Sequence, residues 1–229
     1  MFLRVQEPEA MDDPSLERKW HAQALTGLAR INYFSRSGQT LWSAIRTLSK
    51  KPGKNFFRVL DIATGAGDVP IFLWKKARSE GLRLEIDACD KSPQALAHAQ
   101  TLAKNISVRF FALDIDRESI PSGYDIIACS LFLHHLKNKE AVDFLKRIGQ
   151  AAERLIVIND LERSVAGLAL AYTAPRLLTA SSIVHEDSVK SVRAAFTRQE
   201  ALRMAEEAGL AGAKIRPVWP ARFLLTWER

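Results

Sequence analysis

Residues Leu60 to Pro70 read LDIATGAGDVP. An apolar run ends in an acid, passes through small residues and two glycines, and continues into a helix-like segment, so the stretch joins a strand to a helix. Such a turn lets the backbone approach a ligand closely and is a common phosphate seat. Here two acids, Asp61 and Asp68, flank Gly65 and Gly67, and carboxylates repel a phosphate. The third glycine of a dinucleotide fingerprint is missing near Pro70. The turn therefore suits a cationic ligand that brings no phosphate to the loop.

Working outward, short β-branched or apolar runs alternate with amphipathic segments. Strands are expected at Arg58–Ile62, Arg83–Cys89, Ser107–Leu113, Asp125–Ser130 and Arg154–Asn159. Ser92 with Pro93 gives a cap and a first-turn proline, and Asn138 can cap the helix that follows it. Thr197 with Glu200 forms a capping box closed by Gly209. Repeated strand–helix–strand units predict a parallel sheet with helices on both faces. The end differs, because Ala213–Trp219 and Arg222–Glu228 are strand-like with only a Pro-Ala turn between them, which predicts a closing hairpin. Residues 1–50 read as a helical arm of two helices, from Pro14 to Leu48, broken at Ser35–Gly38 and ended by the KKPGK turn, Lys50 to Lys54.

In an open parallel sheet the ligand sits at the carboxyl ends of the strands. The first strand leads through Asp61 and Ala63 into Gly65 and Gly67. The second ends ACDKSP, where Asp90, followed by Lys91, offers two acceptor oxygens spaced for the vicinal diol of a ribose. The third ends ALDIDR, where Asp114 can accept from an adenine amino group while the Ile115 backbone addresses the ring; capping of the next turn explains Asp114 equally well. A ligand with a ribose, an adenine, a sulfonium and an ammonium matches this set, and S-adenosylmethionine has all four.

With these three motifs in this order, the chain resembles the class I S-adenosylmethionine-dependent methyltransferases over Phe57 to Trp227. The resemblance implies a doubly wound, Rossmann-like α/β fold with a seven-stranded, mostly parallel sheet whose last strand is antiparallel. Ala63 departs from the pattern, in which many members have glycine; alanine is still small. The stretch CSLFLHHLKN (Cys129 to Asn138) is similar to that of small-molecule methyltransferases of the quinone-biosynthesis type, which implies that Ser130 and Leu131 line the cofactor and that His134 or His135 lies near the acceptor. Histidine can take a hydroxyl proton near neutral pH. A helix-packing role for one of the pair is the plain alternative.

The same stretch lacks the Asn/Asp-Pro-Pro-aromatic pattern of base-amino methyltransferases. Cys129 has no proline before it, which speaks against a pyrimidine carbon-5 nucleophile; Cys89 and Cys129 read as core thiols of a reducing compartment. Asn159-Asp160 lacks the further carboxylate of a catechol-type metal site at the fourth strand end, where Ser130 stands, so no metal is expected. Residues 161–196 form an insertion longer than a simple crossover, read as a helical lid with Tyr172, His185, Asp187, Ser191 and Arg193 as polar contacts. From the arm, Arg30, Asn32 and Tyr33 are expected to point inward over the cofactor. An apolar insertion beside an aromatic-containing arm suggests an aromatic, phenolic or polyketide-like acceptor, methylated on oxygen.

The net charge of +7 over 229 residues raises an RNA methyltransferase as a rival, and a non-catalytic cofactor-binding regulator as another. The basic residues gather in no stripe, so no nucleic acid is expected. No secretion signal is expected, and the apolar window Val165–Val184 is interrupted by Pro175 and Arg176, so the expectation is a cytoplasmic monomer or homodimer without membrane insertion.

Overall fold

The computed structural model describes residues 2–13, 15–52 and 54–229. Pro14, the expected start of the helical arm, and Gly53 of the KKPGK turn lie outside the described residues. Two helices follow an extended amino-terminal strap: α1 (Arg18–Phe34) and α2 (Ser37–Ser49). They part at Arg36, whose left-handed φ of 56° breaks the run inside the SRSG segment.

The sheet has the order β3-β2-β1-β4-β5-β7-β6. Its strands are β1 (Phe56–Ile62), β2 (Arg83–Asp90), β3 (Val108–Ala112), β4 (Tyr124–Ser130), β5 (Ala152–Leu161), β6 (Lys214–Val218) and β7 (Arg222–Glu228). β7 runs antiparallel to both β5 and β6, and the other pairings are parallel. The expected closing hairpin is therefore present, with the last strand inserted beside β5. Strand order reverses between β1 and β4, which places a ligand crevice above their carboxyl ends.

β1 shows how the sheet is held. Phe57 and Val59 face a core with Leu41, Trp42 and Ile45 of α2 and Val69 and Leu73 of α3 (Asp68–Ser79). Leu60 and Ile62 face the opposite core, with Phe144, Leu145 and Ile148 of α5 (Asn138–Ala151) and Ala201 and Met204 of α8 (Arg198–Glu207). Strands buried on both faces need apolar residues on both, each contributing roughly 1.5–3 kcal/mol of burial for a large side chain. α2 is thus a packing layer of the sheet, and only the strap and α1 lie toward the crevice. Leu25 of α1 meets Ala66 of the glycine turn and Ala95 of α4 (Pro93–Leu102).

Local signals act largely as read. Ser92 Oγ accepts from the Ala95 amide at 3.2 Å, Thr197 and Glu200 exchange capping bonds at 2.8 and 3.2 Å, and Gly209 has φ 85°. Two readings need correction. Asn138 is the first residue of α5 rather than its cap; Glu140 satisfies the Lys137 amide at 2.8 Å, and the Asn138 side-chain Oδ1 accepts from Arg4 at 3.2 Å. Between β3 and β4, residues 113–123 form a turn and no helix, because Pro121 and a left-handed Gly123 (φ 83°) interrupt that short segment. The insertion after β5 is α6 (Val165–Leu178) and α7 (Ser182–Ala194), which pack on each other and on α1. Among the described residues, no helix is long and apolar enough to cross a membrane.

Candidate active site

The glycine turn is held by backbone geometry that a side chain resists. Ala63, Gly65 and Gly67 have φ of 55°, 52° and 73°. At position 63 the issue is therefore conformation and not only size, and the left-handed alanine costs about 1–2 kcal/mol. The two glycines differ. A Cβ on Gly67 would lie 2.8 Å from the Ala99 Cβ and 3.0 Å from the Phe110 ring, whereas a Cβ on Gly65 meets nothing within 4 Å. Gly67 is needed for packing; Gly65 faces open space.

Asp61 is buried, and among the described residues its Oδ1 and the Thr64 hydroxyl have no hydrogen-bond partner. Burial, reinforced by the charges of Asp68 and Asp90, pushes the Asp61 carboxyl up to about 7. Asp68 is pushed up to about 6 by burial, against the pull of an Asn32 hydrogen bond and the Arg222 charge. Asp90 accepts from the Gly65 amide at 2.8 Å through Oδ2 and from the Ser92 amide at 2.9 Å through Oδ1. It pins the turn and keeps a lone pair on each oxygen for a diol. Lys91 is exposed. Asp114 accepts from the Asp116 amide at 3.1 Å, pairs with Arg117 at 3.5 Å, and its own amide donates to Glu118 at 2.8 Å. These contacts cap its turn, while Arg147 donates to the buried Ile115 carbonyl.

The ends of β4 and β5 build the other half. Ser130 Oγ accepts from the Asn159 amide group at 3.1 Å, and Leu131 takes a left-handed φ of 56° as its N–H donates to the Asn159 carbonyl at 2.9 Å. This bend starts a 3-10 turn at Leu133–His135. Buried His134 places Nδ1 2.6 Å from Asp160 Oδ1, so its Nε2 points away from β5. His135 places Nδ1 3.2 Å from Asp12 and packs beside Phe132. Burial alone would lower the His135 pKa, but the Asp12 hydrogen bond and the charges of Glu9, Asp12 and Asp160 outweigh it and raise it to about 9. With the strap docked, these carboxylates favour the charged form of His135.

Glu9 and Asp12 belong to the strap and were not singled out from the sequence. The strap is clamped along its length. Arg4 donates to the carbonyls of His134, Leu136 and Ala194 at 3.0, 2.7 and 2.5 Å. The Ala10 and Met11 amides donate to the two Asp187 oxygens at 2.9 and 3.0 Å, and Ser191 donates to Glu9 at 2.6 Å. Four acids in the seven residues Glu7–Asp13 were the available signal. Arg222 was also missed. It begins β7 opposite Leu161, the last residue of β5, is buried, and donates to the Ser37 hydroxyl. Burial lowers its pKa to about 10, against the raising charges of Asp160 and Asp68.

Of the other residues read as acceptor contacts, Asn32 lies at the site, beside Asp68. Tyr33 is 78% exposed and does not point inward. α1 buries His21, Ala24 and Leu25, and a helix turns about 100° per residue, so Asn32 continues that face and Tyr33 leaves it. Tyr172 is 48% exposed beneath Arg176. Arg30 donates to the Leu178 carbonyl at 2.8 Å, His185 Nε2 lies 2.8 Å from the Thr179 carbonyl, and Arg193 faces Glu7 at 3.7 Å; these three tie helices and strap together. Cys89 and Cys129 are buried, with burial pushing the first up to about 12 and the second well above its usual value. They are core thiols and not nucleophiles.

Residues 60–154 match the family model described as "Methyltransferase domain", the segment from the glycine turn to β5. No curated protein sequence matches the chain. Solved structures share its fold at low identity. PigF, with bound S-adenosylhomocysteine, is 19% identical at TM-score 0.56, covering 75% of this chain; the chain spans only 50% of PigF. The magnesium protoporphyrin IX methyltransferase of Synechocystis, also with S-adenosylhomocysteine, is 15% identical at TM-score 0.60, covering 96% of this chain and 91% of that one. A family 2 O-methyltransferase from Planctomyces limnophilus, complexed with apigenin, is 17% identical at TM-score 0.57, covering 85% and 61%. Residues 60–154 thus match a methyltransferase domain, and solved methyltransferase structures share the fold built around it.

Proposed function

We propose that the chain methylates a hydroxyl oxygen of a small, apolar, aromatic or polyketide-like acceptor, with S-adenosylmethionine as donor. The observation that carries this reading is the unpartnered Oδ1 of buried Asp61 beside an open Gly65 at the end of β1, with His134, backed by Asp160, beyond the end of the neighbouring β4. When bound, S-adenosylmethionine supplies an electrophilic methyl on a sulfonium. Asp90 holds the ribose diol, Asp61 the methionine ammonium and buried Arg222 its carboxylate. The turn's open face admits the donor without a steric cost. His134, with Nδ1 fixed by Asp160, keeps Nε2 as the acceptor for the hydroxyl proton. α6 and α7 supply the apolar wall. The apigenin and porphyrin named for the two similar structures are flat ring molecules, in keeping with an aromatic acceptor.

Isothermal titration with S-adenosylhomocysteine and with NAD tests the donor, and binding of NAD alone would end the reading. Incubation with a labelled methyl donor and a panel of phenols, quinols and polyketides then tests the acceptor. The expected product gains one methyl on oxygen; a product methylated only on RNA would refute the small-molecule assignment.

A further inference from the structure

The strap brings a third ligand to the histidine pair. Glu9 Oε1 lies 3.8 Å from His134 Nε2, and Glu9 Oε2 lies 4.0 Å from His135 Nε2. Both separations exceed a hydrogen bond, so the three groups face one gap without bonding across it. Their ligand atoms all lie within 4.8 Å of one another. Ligands at about 2.0–2.1 Å from one tetrahedral ion stand about 3.4 Å apart, so a small inward shift closes the set. The second layer is also in place: each imidazole presents Nδ1 to a carboxylate, His134 to Asp160 at 2.6 Å and His135 to Asp12 at 3.2 Å. Carboxylates at Nδ1 fix the ring and leave Nε2 as the metal-binding lone pair.

Charge points the same way. Glu9, Asp12 and Asp160 bring three carboxylates to two imidazoles, with Glu9 and Asp160 sheltered at 12% and 1% side-chain exposure. A divalent cation would compensate that excess in place of the proton that the same carboxylates otherwise favour on His135. Two imidazoles and one carboxylate with a position left open form the donor set of catalytic zinc.

We infer that Glu9, His134 and His135 bind a divalent metal ion of the zinc class, oriented by Asp12 and Asp160, at a site completed only when the strap is docked. The existence of the site is independent of the proposed methyl transfer. Its role rests on that reading, because an ion on the His134 Nε2 replaces that nitrogen as the activator of the acceptor hydroxyl. The site differs from the catechol-type arrangement, which would use Asn159 and Asp160 directly.

The test titrates Co2+ into the full chain after treatment with a chelator, reading visible ligand-field bands, and back-titrates with Zn2+. One Co2+ per chain with tetrahedral bands, displaced by Zn2+, is expected. Glu9→Gln and His135→Asn should each weaken binding at least ~100-fold, and Asp12→Asn about 10-fold. Absence of bands in the unmodified chain, or bands that persist in both ligand variants, overturns the site. Titration of the same samples with S-adenosylhomocysteine separates the two questions: lost donor binding in the unmodified chain refutes the methyltransferase reading, whereas intact donor binding with no metal refutes only this one. Melting temperatures of the variants verify folding, and Zn2+ should raise that of the unmodified chain but not of Glu9→Gln.

Discussion

The two halves of the active site are built in opposite ways. The donor half is local: Asp90 reaches a glycine turn 25 residues away to accept from Gly65, and Asp61, Gly65 and Gly67 are nearly contiguous. The histidine half is assembled across the chain, with Ala10 held by Asp187 at a separation of 177 residues and Arg4 held by the His134 carbonyl at 130. Apart from Arg222, which arrives with β7, one half is finished when neighbouring strands pair. The other also requires the sheet to close, the insertion to pack and the strap to dock. The two should therefore fail separately.

The largest effect expected is at Asp90. Asp90→Ala removes the acceptor for two backbone amides and for the ribose diol, and hydrogen bonds to a charged group contribute about 1.5–3 kcal/mol each. Affinity for S-adenosylhomocysteine, read by titration calorimetry, should fall at least ~100-fold. Asp187→Asn, in the other half, should leave that affinity within about 2-fold while exposing the strap to limited proteolysis. Equal losses of donor affinity in the two variants would break the division.

This difference also explains what the sequence disclosed. All seven strands and the hairpin could be placed within two residues at either end because apolar alternation and turn residues act locally; β5 departs most, running two residues further at each end. Asp90 could be read because its position at a strand end follows from the same pattern. Glu9 and Asp12 could not, since acids ahead of a first helix say nothing of a contact with residues 134 and 135 until the topology is known. Arg222 was hidden for a similar reason: only the insertion of β7 beside β5 carries it to the crevice. Tyr33 misled because it neighbours Asn32 in sequence but lies off the buried face of α1.

The next effect separates packing from binding inside the donor half. Gly67→Ala forces a Cβ to 2.8 Å from Ala99 at a φ of 73°, and overpacking with left-handed strain should cost about 2–4 kcal/mol of stability. Denaturant unfolding reads this directly. Gly65→Ala meets no protein atom within 4 Å, so its strain alone should cost about 1–2 kcal/mol, while donor affinity falls about 10-fold because the added methyl fills space the ligand needs. If Gly65→Ala binds S-adenosylhomocysteine as well as the unmodified chain does, the open face of the turn is not where the donor lies.

The smallest effect is a pH dependence that should run in opposite directions for stability and for binding. Asp61 is pushed up to about 7 by burial, above its value in the unfolded chain. Its contribution to the stability of the ligand-free protein is therefore full below the ordinary carboxylate range and is lost as pH rises through about 7. Donor binding needs the ionised form to face an ammonium group, so affinity should rise over the same interval, tightening about 10-fold between pH 6 and pH 8. Calorimetric titrations with S-adenosylhomocysteine across that range, paired with thermal unfolding of the ligand-free protein, measure the two slopes. Asp61→Asn should flatten both. A binding slope that survives in Asp61→Asn would move the ammonium contact to Asp68, which is pushed up to about 6 and would place the midpoint about one pH unit lower.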